Sequence, residues 1–270
     1  MPTLPPGDRP DSPADTHKAR QMAESFGVDA ARYDRTRPRY PDAMVQRIMA
    51  ASPGRSVLDV GCGTGIAARQ FQAAGCTVLG VEPDSRMADF AGRRGLEVEV
   101  GTFENWKPAG RTFDAVVAGQ TWHWVDPVAG AAQAARALRP GGRLAVFWNA
   151  DEPPAELTDA LATVYRRLMP GFPATGMPSP VDAYSSMCDK AAEGIDTAGG
   201  FTAPERWTFD ADCHYTCAEY LDMMPTQGLF TRLPAPVLAE ILAEVGAAID
   251  ELGGGFTLRR RTVVVTATRA

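Results

Sequence analysis

At 270 residues, with 45% hydrophobic and 22% charged side chains, the chain has the make-up of one large α/β domain with room for a small cap. The net charge of −6 and the lack of a long basic run argue against a nucleic-acid partner. No apolar run nears the roughly 20 residues of a membrane span, so a membrane is not expected as a partner either. Cysteines 62, 76, 188, 213 and 217 form no paired framework, which points to free thiols in a reducing cytoplasm.

Residues 1–16 are rich in Pro, Asp and Gly and read as a disordered tail. Helices are expected over 18–25 and 41–51, the second with Pro41 in its first turn. Between them runs an aromatic and arginine-rich connector holding Tyr33, Tyr40 and Arg32, Arg35, Arg37 and Arg39. From Arg55 the pattern changes. Strands at 56–60, 77–81, 97–100, 113–118 and 143–148 alternate with helices at 65–74, 85–93 and 127–138. That alternation predicts a parallel sheet with helices on both faces. Leu138-Arg-Pro-Gly-Gly142 is expected as the turn before the fifth strand.

Past Asn149 the pattern loosens. A helix is expected over 155–168, then a proline-rich loop over 170–182, and a short strand over 206–210. Thr216 opens a helix with Glu219 in capping-box position. Residues 234–252 form an amphipathic helix ended by Gly253-Gly254-Gly255, and the β-branched run 262–268 is the last strand. Cys213, His214 and Cys217 lack a second ligand pair at zinc spacing, so a strand end and helix start is preferred there and no metal is expected.

The most informative stretch is Val57-Leu-Asp59-Val-Gly61-Cys62-Gly63-Thr-Gly65, a strand running into a tight turn and a helix start. Glycines at alternate positions permit positive φ and close approach of a ligand to the backbone. The helix N-terminus behind them favours negative charge, whereas Asp59 would meet the positive end of a ligand. A dinucleotide fingerprint needs G-x-G-x-x-G, and here Ile66 takes the place of the third glycine. Glu82 closes the second strand, where a carboxylate accepts the ribose hydroxyls of an adenosine.

Together with Gly80-Val-Glu82-Pro83-Asp84, Phe113-Asp114-Ala-Val-Val and Leu138-Arg-Pro-Gly-Gly142, this turn resembles the class I S-adenosylmethionine-dependent methyltransferases, over roughly residues 20–150. The last third is only generally similar to their small-molecule members. The resemblance implies a doubly wound, mostly parallel seven-stranded sheet of Rossmann-like type whose final hairpin runs antiparallel. It also implies S-adenosyl-L-methionine as cofactor. The expected division is a lid and cofactor-binding core over 17–149, a helical substrate-cap insertion over 150–255 with one core strand near 205–210, and a final core strand over 256–270.

For the cofactor, the candidates are Asp59, Gly61, Cys62, Gly63, Gly65 and Glu82. Thr102 stands where the family often has an adenine-binding Asp, so adenine recognition is expected from the Phe103 amide and Glu104 segment, with apolar contact from Pro83, Met87 or Trp106. By resemblance, Gln120 and Thr121 line the methionine part. His123 then lies near the methyl group as a candidate general base, since histidine is neutral at working pH, with packing as its alternative role. In members sharing the pattern Phe-x6-Tyr-x3-Arg-Pro-x-Tyr-Pro the connector resembles a lid. Arg37 would pair with the cofactor carboxylate, and Tyr33 would stand beside the sulfonium as a further cofactor and catalytic candidate; a solvated loop is the alternative.

Trp122, His123, Trp148, Tyr184 and Tyr215 are candidates for the acceptor pocket. The expected reaction is in-line methyl transfer to a small organic acceptor, with an aromatic or heteroaromatic metabolite favoured and a carboxylic acid as the competitor. A nicotinamide-dependent oxidoreductase and a non-methylating cofactor-binding protein of the same fold are the alternatives from other classes.

Overall fold

A computed structural model describes residues 25–169 and 180–270, the side chains of 180–182 excepted. The expected tail, nearly all of the helix over 18–25, and the segment 170–179 of the expected proline-rich loop lie outside the described residues. The chain divides into two compact units. One holds residues 38–149, 184–209 and 262–270; the other holds, among described residues, 25–37, 150–169, 180–183 and 210–261.

The chain forms a seven-stranded sheet: β1 (Ser56–Val60), β2 (Thr77–Glu82), β3 (Glu97–Val100), β4 (Phe113–Gly119), β5 (Leu138–Glu152), β6 (Glu205–Thr216) and β7 (Gly255–Thr268). The order is β3-β2-β1-β4-β5-β7-β6, and β1, β2, β3, β4 and β5 are joined by parallel pairings. Val57, Leu58 and Val60 are all buried because helices cover both faces, as in parallel sheets generally. Helices Ile66–Ala73, Ser85–Arg93 and Pro127–Ala137 provide the crossovers. Asp84 and Asp126 accept backbone N–H bonds at the starts of the second and third, and Pro127 fits the first turn where no N–H is needed.

Asn149 bonds Thr262, Leu144 bonds Thr266, and Gly141 and Gly142 exchange backbone bonds with Arg269. Residue numbers therefore fall along one strand as they rise along the other, so β7 runs antiparallel to β5. The antiparallel ending implied by the resemblance is met.

Several expected boundaries change. Residues 138–142 are not a turn but the start of β5. The register shifts between Phe113↔Leu138 and Ala115↔Arg143, with Gly141 at φ 78°, so a bulge absorbs the extra residues and the ladder continues. β6 runs to Thr216 rather than 210, and β7 begins at Gly255 rather than 262. The β7 extension alternates exposed with buried residues and carries Arg259 and Arg261 on its outer side, and the β6 extension 211–216 holds no buried residue, which hides both from a hydrophobicity reading. Residues 180–182 belong to a helix, Pro180–Ala198, instead of the expected loop. Its residues Tyr184, Cys188, Ala191 and Ile195 are buried at helical spacing.

In the other unit the connector is helical: a 3-10 turn over Phe26–Asp29 leads into the helix Ala30–Thr36, whose start Asp29 caps by accepting from the Arg32 amide. Arg32 and Arg35 share Asp222 in ion pairs of 2.9 Å each. Helices Ala155–Leu168, Cys217–Met223 and Ala235–Glu251 enclose a separate core of Leu157, Leu161, Phe230, Ile241, Val245 and Phe256. The expected capping box of Thr216 and Glu219 is formed. Beside this core, Arg260 donates two bonds to Asp151, at 2.6 and 2.8 Å, and one to Tyr215 Oη at 3.0 Å.

Candidate active site

The carboxyl ends of β1, β2, β4 and β5 bring the expected cofactor residues of the first unit together. Beyond β1 the backbone turns through Gly61, Gly63 and Gly65 at φ 61°, 55° and 85°. Gly61 N–H donates to the Val81 carbonyl at 2.7 Å, which moors the turn to β2. A Cβ at Gly61 would collide with Thr121, whereas one at Gly63 would meet no atom within 4 Å. The third glycine faces Arg69, Leu96 and Ala91, so its role is packing at the start of the helix Ile66–Ala73.

Two acids flank the turn. Glu82 is buried, accepts from Gly63 N–H at 2.8 Å through Oε2 and from Asp84 N–H at 3.0 Å through Oε1. Asp59 is buried more deeply, and its Oδ2 has no hydrogen-bond partner among the described residues. Desolvation raises Glu82 to about 7 and Asp59 to about 8, Glu82 contributing to the rise at Asp59 through like-charge repulsion. Cys62 is buried against Gly80, and burial pushes its thiol well up, so it fills space rather than acting as a nucleophile.

At the rim formed by β3 and its following turn, Phe103 and Met87 are buried, Pro83 is exposed, and Thr102 accepts from the Asn105 amide at 3.0 Å. Glu104 accepts from the Asp126 amide at 3.2 Å, so it braces the neighbouring loop.

The loop after β4 supplies the opposite wall. Gln120 adopts φ 56°, a left-handed conformation rare for a residue with a side chain. Its amide donates to the Phe147 carbonyl at 2.8 Å and its side chain to the Asn149 carbonyl at 3.2 Å. Thr121 Oγ1 lies 3.1 Å from the carbonyls of both Gly61 and Gly119 and joins the two loops. Then comes the 3-10 turn Trp122–Trp124. Trp122 is buried against Phe103 and Gly130. His123 is half-buried, lies tilted against Trp124 with ring centroids 4.7 Å apart, and accepts the Trp148 indole N–H on Nδ1 at 3.2 Å. Desolvation lowers it to about 4. Trp148 itself is fully buried, as is Tyr184 on its helix.

Two contributors escaped the sequence reading. Asn149 ends this wall with Oδ1 bonded to Thr262 at 2.7 Å, while its buried Nδ2 has no partner. Its place at the carboxyl end of the fifth strand was the available signal. Tyr40 packs edge-on against Phe147 and over Gly119, held by paired bonds between its backbone and the Gln70 side chain at 3.0 and 2.7 Å.

Tyr33, Arg37 and Tyr215 belong to the other unit. Arg37 lies 4.9 Å over the Tyr33 ring and donates to the Thr226 carbonyl at 3.2 Å, leaving its buried Nε without a partner. Tyr215 stacks on Phe256. Among the described residues there is no cluster of three His, Cys, Asp or Glu suited to a metal, and no helix long and apolar enough to cross a membrane.

Residues 58–146 match the family described as "Methyltransferase domain". An uncharacterized methyltransferase of Mycobacterium bovis is 39% identical over 137 residues, which cover 50% of this chain and 56% of that protein. The chain thus spans about half the length of such curated relatives. A demethylmenaquinone methyltransferase of Mycobacterium sp. strain JLS is 29% identical over 190 residues, 66% of this chain and 81% of that protein. Among solved structures, a putative type II methyltransferase from Anaeromyxobacter dehalogenans shares the fold with a TM-score of 0.62 at 23% identity, covering 86% of this chain and 97% of that one.

Proposed function

We propose that the chain is a class I S-adenosylmethionine-dependent methyltransferase and that it transfers a methyl group from that cofactor to a small, ring-containing organic acceptor. The observation that carries this reading is the pair of buried acids around the open turn. Glu82 keeps lone pairs for ribose hydroxyls after accepting two backbone N–H groups. Asp59 offers a buried oxygen with no partner among the described residues. Such an orphan is costly unless a ligand donor or water meets it, and an ammonium group is a fitting donor. Gly63 leaves the backbone bare beside both acids.

When bound, S-adenosylmethionine supplies an electrophilic methyl group. This chain's residues bind, orient and exclude water. Glu82 and Asp59 fix the ribose and amino-acid ends, and Gln120, Thr121 and Asn149 form the wall beside them. Phe103 and Met87 give an apolar surface for the adenine. Tyr33 and Arg37 complete the proposal as cofactor contacts, Arg37 toward the carboxylate. Trp148, Tyr184 and Tyr215 are carried forward as acceptor-pocket residues.

Support for a ring-containing acceptor comes from the aromatic content around His123 and from relatives named for demethylmenaquinone. A carboxylic acid acceptor is the competing reading. Transfer of labelled methyl from S-adenosylmethionine into a metabolite extract tests the activity, with quinols and phenols as one panel and carboxylic acids as the other. Tight binding of S-adenosylhomocysteine with no label in any small molecule would leave a cofactor-binding protein without methylation.

A further inference from the structure

Most α-helices of the unit that holds residues 210–261 are fixed by burial. Ala155–Leu168 buries Leu157, Leu161, Val164 and Tyr165, Cys217–Met223 buries Tyr220 and Met223, and Ala235–Glu251 buries Ile241, Val245 and Ile249. The helix Ala30–Thr36 buries no side chain, and one so short does not hold itself together in water. Polar contacts fix it, and among the described residues they converge on the short stretch 222–231. Arg32 Nε donates to the Asp222 carbonyl and to its Oδ1, both at 2.9 Å, and Arg35 donates to both Asp222 carboxylate oxygens at 2.9–3.2 Å. Arg37 donates to the Thr226 carbonyl at 3.2 Å, and Ser25 Oγ lies 2.7 Å from Thr231 Oγ1. We propose that residues 25–37 are an ion-latched strap, which comes off the stretch 222–231 in one piece while the rest of the unit stays folded, with Asp222 as the latch.

Contacts inside the strap keep it together when it moves. Phe26 packs on Tyr33 with ring centroids 5.9 Å apart, Arg37 lies over the same ring, and Asp29 caps the helix. The latch, by contrast, is open to water. The Arg32, Arg35 and Asp222 side chains are 32%, 62% and 35% exposed, so salt screens their attraction. The buried pair of Arg260 and Asp151 in the same unit is shielded from that effect. Closure also has a cost, because Arg37 Nε is buried with no partner among the described residues and opening would hydrate it. A weak, screened attachment set against a buried orphan leaves the strap poised between two states.

The consequence rests on the methyl-transfer reading above. Tyr33 and Arg37, the cofactor contacts proposed there, both ride on the strap. Opening withdraws the two together, so one carboxylate sets how fast the cofactor product leaves.

Hydrogen exchange of the full chain, read by mass spectrometry, tests the strap. At low salt, amides of 30–36 should exchange at least about tenfold faster than those of Ala235–Glu251, as expected of a weakly attached segment. In about 1 M NaCl, where charges are screened within a few ångströms, the strap should speed up several-fold further while 235–251 keeps its rate. Exchange of 30–36 as slow as that of 235–251, or indifferent to salt, overturns the proposal. Asp222→Asn keeps the shape and removes the charge. It should show the high-salt rate already at low salt and respond little to added salt; a full salt response in this variant would remove Asp222 as the latch. The wild-type salt series decides the matter even if the variant does not fold. Stopped-flow release of S-adenosylhomocysteine should be several-fold faster in Asp222→Asn, and unchanged release would strike the link to cofactor exchange. Failure of the methyl-transfer reading shows separately, as absent S-adenosylhomocysteine binding to the wild type in calorimetry.

Discussion

Gly63 N–H donates to Glu82 Oε2 at 2.8 Å, so the turn after β1 is tied to the acid that ends β2. The backbone that approaches the ligand and the carboxylate that accepts its ribose are thus one unit. Glu82→Gln keeps the shape and one acceptor oxygen but loses the charge. S-adenosylhomocysteine affinity should fall about 10- to 100-fold, the worth of a charge-assisted bond. Calorimetry measures it; unchanged affinity would remove Glu82 from the site.

Gly61 and Gly63 should separate stability from binding. Both have positive φ, which costs a Cβ-bearing residue about 1–2 kcal/mol. Only Gly61→Ala also collides with Thr121. Gly61→Ala should lower the melting temperature by several degrees more than Gly63→Ala, whereas Gly63→Ala, well folded, should bind S-adenosylhomocysteine at least tenfold more weakly. Scanning calorimetry and titration of both variants test the contrast.

The two raised acids predict a pH dependence. Asp59 at about 8 and Glu82 at about 7 bind protons in the folded state that the unfolded chain has already released. Between about pH 4 and 8 the folded state therefore holds more protons, and its stability falls as pH rises. The contribution is full below the unfolded carboxylate range and lost through pH 7–8. Ligand donors favour the ionised acids, so S-adenosylhomocysteine affinity should rise over the same interval with proton release. Melting curves and calorimetry in buffers of different ionisation heat check both signs.

Arg260 and Asp151 form a half-enclosed ion pair, the Arg260 side chain 8% and the Asp151 side chain 19% exposed. Removing one partner strands the other. Arg260→Met should destabilise by about 3–5 kcal/mol, and adding Asp151→Leu should restore part of that. Urea unfolding of the two variants gives the coupling directly.

Asp222 anchors the segment 25–37 through Arg32 and Arg35. Asp222→Ala should cost only about 1–2 kcal/mol, since both pairs are partly exposed. Tryptic cleavage after Arg32 and Arg35 should nevertheless speed up several-fold as the helix Ala30–Thr36 loosens. If Arg37 holds the cofactor carboxylate, Arg37→Ala weakens S-adenosylhomocysteine binding as well.

The turn, the two acids and the alternation of β1 to β5 were legible in the sequence because each leaves a local mark: a glycine at alternate positions, a carboxylate at a strand end, an apolar run of fixed length. Asn149 and Tyr40 were not, because their roles arise from Thr262 and Gln70, partners far along the chain. The helix Pro180–Ala198 was hidden by its Ser, Asp and Gly residues, weak helix formers, although Tyr184, Cys188, Ala191 and Ile195 trace its buried stripe. The contact between His123 and Trp148 was not legible, since it joins residues 25 positions apart.

Gln120 carries a side chain at a backbone angle that glycine adopts freely. Glycine there would relieve roughly 1 kcal/mol of strain while deleting the amide that reaches the Asn149 carbonyl. A directed-evolution campaign scored on heat resistance would therefore drift toward Gly at this position, and one scored on turnover would hold Gln. Position 120 is where the two selections part company.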